Sequence, residues 1–114
     1  MPDRHLTVTE GLARLPGPEG ERFVELFGHG TLSVELYAPR GQDPQSPHTR
    51  DEVYVVATGR GQFRNGETRH PFGPGDVLFV PAGVTHRFEE FSDDLAGLLL
   101  RPRRRRGVWM SGER

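Results

Sequence analysis

Pro47-His48-Thr49-Arg50-Asp51-Glu52, running into Val53-Tyr54-Val55-Val56 and stopping at Gly59, opens the stretch that decides the fold, residues 41–90. Gly75-Asp76-Val77-Leu78-Phe79-Val80-Pro81-Ala82-Gly83-Val84-Thr85-His86 closes it. Each half is a short apolar run bounded by Gly and Pro, the pattern of brief strands joined by tight turns. Two imidazoles and a carboxylate stand at the ends of these runs. That is how a protein converges a few metal-ligand side chains onto one point.

Working outward, the same punctuation continues in both directions. Phe23, Glu25 and Phe27 alternate with Val24 and Leu26, and Leu32, Val34 and Leu36 alternate with Ser33, Glu35 and Tyr37, with Gly28-His29-Gly30 as a hairpin signal between them. A short strand about Phe63 meets Asn65-Gly66, the strongest short-range hairpin signal, and Glu67 to Phe72 returns. Val77 to Val80, His86 to Phe91 and Leu95 to Leu100 complete eight strands without a segment of convincing helical period. An all-β sandwich or barrel follows. Residues 1–20 read as an N-terminal arm, with Thr7-Val8-Thr9 as an edge strand and Pro16-Gly17-Pro18 as a break; residues 21–101 form the barrel, and 102–114 a basic C-terminal tail.

A chain of 114 residues builds one domain around one core, so any chemistry sits inside that core or at its mouth. The absence of cysteine excludes disulfides, thiolate ligands and cysteine nucleophiles, leaving imidazole and carboxylate. No apolar run has the length of a membrane span or of a signal peptide, and a soluble cytoplasmic protein is expected, with no membrane partner. Residues 1–100 balance at −6, whereas 101–114 balance at +5. The run Arg103-Arg104-Arg105-Arg106 reads as a solvated tail and not as a nucleic-acid contact, because the body is acidic and no aromatic residues interleave the arginines.

His48 and Glu52 are an even number of residues apart, which on an extended chain sets both side chains on one face. His86 starts its own strand just past a turn, and if the two strands are neighbours in one sheet the three groups meet. Asp51, one residue off, faces the other side of an ideal strand. Two neutral imidazoles and a carboxylate make a facial triad with open coordination positions, an arrangement suited to iron(II) and dioxygen. Each residue taken alone reads as an ordinary polar side chain; the joint spacing points to a metal. Tyr54 shares the parity of Glu52 and, with Phe63, Phe79 and Phe88, is a candidate for the pocket wall, although such aromatics are commonly plain core. Arg50 and Arg87 flank two of the proposed ligands. No nucleophile elbow, phosphate-binding glycine loop or dinucleotide fingerprint is present.

The stretch resembles the cupin superfamily. Its first motif (Gly, about five residues, His-x-His, three or four residues, Glu, six residues, Gly) is met by Gly41, Ser46-Pro47-His48, Glu52 and Gly59. Its second (Gly, five residues, Pro-x-Gly, two residues, His, three residues, Asn) is met by Gly75, Pro81-Ala82-Gly83, His86 and, at the last position, Glu90. The resemblance implies a double-stranded β-helix, or jelly-roll, barrel of small single-domain type. It implies His48, Glu52 and His86 as ligands of one divalent transition metal: iron, manganese, nickel, zinc or copper. The family's first His falls on Ser46, a poor ligand at the pocket, so metal affinity is expected to fall or a water to fill the fourth place. A small-molecule substrate or ligand in the barrel mouth and a homodimer, with Phe23 to Tyr37 as the crossing segment, are implied too. Dioxygenase or isomerase chemistry and small-ligand binding or sensing without turnover, with or without metal, both stay open.

Overall fold

The computed structural model describes residues 5–103, so the tail from Arg104 lies outside the described residues. Eight strands are present: β1 (Phe23–His29), β2 (Leu32–Tyr37), β3 (Glu52–Thr58), β4 (Gly61–Asn65), β5 (Thr68–Phe72), β6 (Val77–Val80), β7 (His86–Glu89) and β8 (Ala96–Pro102). They form a five-stranded sheet in the order β1-β2-β8-β3-β6 and a three-stranded sheet in the order β5-β4-β7, with every neighbouring pair antiparallel. The jelly-roll expectation is met: chain neighbours split between two sheets that enclose one core.

The core is aromatic where the sheets face each other. Phe63 and Phe88 lie 4.7 Å apart at their ring centroids, Tyr54 meets Phe88 edge-on at 5.2 Å, and Phe72 meets Phe88 edge-on at 5.2 Å. Edge-to-face pairs at these separations each contribute about 0.5–1.5 kcal/mol beyond area burial. Strand parity delivers them. Glu52, Tyr54 and Val56 are buried on β3, while Val53 and Val55 face out.

The turns behave as their residues require, one position later than the sequence suggests. In the first hairpin β1 runs through His29, which pairs with Leu32, so Gly30-Thr31 is the turn, with Gly30 at φ 58°. Likewise Asn65 pairs with Thr68 and Gly66 opens the turn at φ 63°. In both the glycine supplies the positive φ and the residue before it stays in the ladder.

Two expectations fail here. Thr7-Val8-Thr9 is not an edge strand: Val8–Leu12 is a short helix, α1, opened by a capping box in which Thr7 Oγ1 accepts from Glu10 N at 3.0 Å while Glu10 Oε1 accepts from Thr7 N at 3.2 Å. The Thr-x-x-Glu spacing was a legible helix start, and it outweighs the strand propensity of Thr and Val. Val8, Leu12 and Leu15 then pack with Leu36 and Leu98 on the outside of the five-stranded sheet. The second failure is Phe79, which is 54% exposed and does not line a pocket. Val80 pairs with Glu52 and Leu78 with Tyr54, so those two share the inner face and Phe79, opposite Val53, must point outward.

Candidate metal centre

His48, Glu52 and His86 converge, and they do so across the barrel. Glu52 opens β3 of the larger sheet and His86 opens β7 of the smaller, so the two strands are not sheet neighbours as expected; they are opposed walls. His48 lies in the loop before β3. The three offer ligand atoms all within 4.8 Å of one another, and all three are buried: His48 is 5% exposed, Glu52 and His86 1% each. His48 Nε2 stands 3.8 Å from Glu52 Oε2, and His86 Nε2 3.3 Å from Glu52 Oε1.

Backbone ties between the two motifs set this geometry. Gly83 N donates to His48 O at 2.7 Å, and Ala82 N donates to Asp51 Oδ1 at 2.8 Å, so the Pro81-Ala82-Gly83 turn is bound to the loop that carries His48. Gly83 takes φ 83°, which turns the chain toward β7 three residues before His86. Asp51 thereby works outside the barrel, as its parity requires.

Four residues that sequence reasoning did not place at the site complete it. Arg101, on β8, donates from Nη1 to Glu52 Oε2 at 2.9 Å and from Nη2 to Glu35 Oε2 at 2.7 Å, all three groups being buried. With Oε2 held by Arg101, Oε1 is the oxygen aimed at His86. Arg101 follows the alternation Gly97, Leu99, Arg101 on the inner face of β8, a signal hidden by its place beside the basic tail. Gln45 sits beside Ser46: its Oε1 accepts from the Tyr54 hydroxyl at 2.6 Å and lies 3.2 Å from His86 Nε2. Buried Asp43 orients that amide, its Oδ2 accepting from Gln45 Nε2 at 2.8 Å and from Phe88 N at 2.9 Å, while its Oδ1 accepts from the Tyr37 hydroxyl.

The electrostatics follow from burial and proximity. Burial by itself would raise the Glu52 carboxyl, but the facing His86, with His48 and Arg101, overcomes it and holds the group below the usual carboxylate range. Burial alone would depress the His86 ring; Glu52, then the Val84 carbonyl and Asp43, outweigh it and raise it.

The donor set fits a cation. His86 Nδ1 lies 3.0 Å from Val84 O, and a carbonyl only accepts, so Nδ1 carries a hydrogen, and in its neutral form the ring turns the Nε2 lone pair inward. Facing that lone pair are Glu52 Oε1, which accepts no well-formed hydrogen bond, and Gln45 Oε1. Two oxygens facing that nitrogen in a buried space favour a positive charge between them, either a second proton on the ring or a metal ion in its place.

A cavity of about 340 Å³ adjoins this cluster through His48, with walls from Phe23, Tyr37, Pro39 and Pro44 and polar groups from Arg22, Gln45 and Ser46; Glu52 and His86 do not line it. Of the expected wall residues, Ser46 is there and exposed, at the mouth. Tyr54, Phe63 and Phe88 belong to the core, where Tyr54 and Phe63 pack against the His86 ring at 6.0 and 6.4 Å. Arg50 donates to the Pro102 carbonyl at 2.9 Å. Glu90, at the second motif's last position, is exposed, adopts φ 48° and pairs with Arg69.

Comparison with known proteins agrees with the fold and the motifs. The family model for the cupin domain matches residues 33–100. An uncharacterised protein of Streptomyces coelicolor is 37% identical over 95 residues, covering 76% of this chain and 90% of its own length. Among solved structures, TT1209 from Thermus thermophilus is 28% identical with a TM-score of 0.63, covering 80% of this chain and 92% of that one. A cupin 2 conserved barrel domain protein from Salinispora arenicola has a TM-score of 0.65 at 22% identity, covering 89% and 87%. Two motifs in register, the two-sheet barrel and the family match over residues 33–100 place this chain in the cupin superfamily.

Proposed function

We propose that the protein holds one divalent transition metal through His48, Glu52 and His86 and uses it on a small organic molecule seated in the adjoining cavity, as a metal-dependent dioxygenase. The observation that carries this is the convergence of three buried ligand residues, His48, Glu52 and His86, with ligand atoms all within 4.8 Å of one another, beside a cavity that His48 lines. Bound there, such an ion supplies Lewis acidity and, as iron(II), a place for dioxygen. The chain's own residues do the rest. Arg101 fixes the carboxylate, Val84 O fixes the His86 tautomer, and Phe23, Tyr37 and Pro39 give the ligand an apolar wall away from bulk water.

The test is metal analysis of protein purified without chelator, followed by oxygen uptake on a panel of small organic acids, diols and thiols. Stoichiometric metal with uptake on one compound supports the reading. Protein that takes up no transition metal overturns it. A second reading, binding without turnover, is favoured by Ser46 standing exposed where the motif has a ligand; metal-dependent thermal stabilisation by a compound that yields no product would establish it instead.

We infer also that the protein pairs as a homodimer. Two apolar rows cross the outer face of the five-stranded sheet in register, Val34, Leu100, Val53 and Phe79 in one, Leu36, Leu98, Val55 and Val77 in the other. The chain's own α1 covers the Leu36 end, whereas Val77 at 65% and Phe79 at 54% exposure lie bare on the edge strand β6. Neither row contains a charge, so the face meets a second copy of itself without opposition. Sedimentation velocity checks this: a dimer that Phe79→Asp dissociates is expected, and a wild-type monomer at tens of micromolar refutes it.

A further inference from the structure

The family's first-motif histidine is replaced here by Ser46, which is exposed at the cavity mouth, and the residue before it reaches the place that histidine would serve. We propose that Gln45 supplies, through its side-chain amide oxygen, the fourth protein ligand to the metal of the His48–Glu52–His86 centre. This rests on that centre being a metal site.

The amide is oriented before any ion arrives. Its Nε2 donates to Asp43 Oδ2 at 2.8 Å, and Asp43 is buried and held in turn by Tyr37 and Phe88 N, so the carbonyl end faces the interior. There Oε1 lies 3.2 Å from His86 Nε2, almost the distance at which Glu52 Oε1 meets the same nitrogen, 3.3 Å. Adjacent ligand atoms bonded at about 2.1 Å to a small cation stand roughly 3 to 3.4 Å apart, so both spacings are those of ligands sharing one ion. Tyr54 already donates to Oε1 at 2.6 Å, which uses one of its two lone pairs and leaves the other for a cation. An outer hydrogen bond of this kind fixes a ligand's direction. A neutral amide oxygen makes the site weaker and harder than imidazole would, narrowing the advantage of copper over iron, manganese or cobalt.

The experiment uses the full chain loaded with Co(II) as the probe. In crystals of the loaded protein, with the ion located by anomalous scattering, Gln45 Oε1 is expected at about 2.0 to 2.3 Å from cobalt; a separation beyond 3 Å overturns the proposal. In solution, Gln45→Leu is expected to weaken Co(II) binding by about tenfold to a hundredfold in chelator competition and to change its visible spectrum. Gln45→Glu, which keeps an oxygen at that reach, is expected to retain binding, and this second variant guards against a Leu substitution that simply fails to fold. Wild-type affinity and spectrum in Gln45→Leu refute Gln45 alone if Glu52→Gln still abolishes binding. Wild-type protein that binds no Co(II) refutes the metal centre and this ligand together.

Discussion

Arg101 donates to Glu52 Oε2 across 2.9 Å inside the five-stranded sheet, with its other amine on Glu35 Oε2 at 2.7 Å, so one buried cation bridges two buried carboxylates. The bridge joins three strands, β2, β3 and β8, and leaves Oε1 as the Glu52 oxygen aimed at His86. Replacing Arg101 by Met leaves two buried anions with no cation between them. We expect a loss of about 3–5 kcal/mol in urea-monitored stability; a change under about 1 kcal/mol would mean that the three groups are better solvated than their burial indicates.

His86→Ala removes one imidazole from the cluster without touching a turn or a ladder hydrogen bond of the site. Bound metal should fall by tenfold or so at a fixed chelator concentration while far-UV circular dichroism stays that of the barrel. Elemental analysis after gel filtration makes the comparison, and equal metal content in both proteins would contradict it.

Gly59 separates β3 from β4 at φ 97°, and a Cβ built there would lie 2.6 Å from Leu95 Cα, an atom of backbone that cannot swing aside. Gly41 has φ 78° with nothing within 4 Å. Gly41→Ala should therefore cost only the left-handed backbone term, about 1–2 kcal/mol, and Gly59→Ala distinctly more. Thermal melts of the two variants side by side decide it; equal costs would show that the Leu95 segment yields.

On the outer surface of the smaller sheet Arg69 donates to Glu89 Oε1 at 2.8 Å and Arg64 to Oε2 at 3.2 Å. The hydrogen bond from Arg69 first, and Arg64 beside it, hold the Glu89 carboxyl below the ordinary range despite a slight opposing effect of burial. A depressed carboxyl stabilises the fold above its unfolded pKa and loses that contribution as pH falls through the folded value. Wild type should thus melt above Glu89→Gln at neutral pH, and the gap should close as pH drops below about 4. High salt should narrow the gap as well, since Arg69 is exposed and Glu89 and Arg64 are only half-buried. A gap that widens on acidification would reverse the sign of the assignment.

Strand existence was legible because alternation and turn residues act locally. Glu52, Tyr54 and Val56 sit on one face by parity alone, and Asn65-Gly66 forces a hairpin whatever surrounds it. Nothing within β6 says which of its faces is the inner one; its pairing with β3 through Val80 and Glu52 decides that, and turns Phe79 outward. The capping box at Thr7 and Glu10 was equally local and was missed because two β-formers surround it.

Local chemistry, then, was enough to name the strands, the two motifs and the three residues His48, Glu52 and His86, since each depends on spacing along the chain. Tertiary structure alone decided that Glu52 and His86 face each other from different sheets, that Arg101 holds the carboxylate and that Gln45 reaches past Ser46. Those relations join residues about 30 to 50 positions apart through the curvature of the barrel, and no periodicity in one strand encodes which wall another will face.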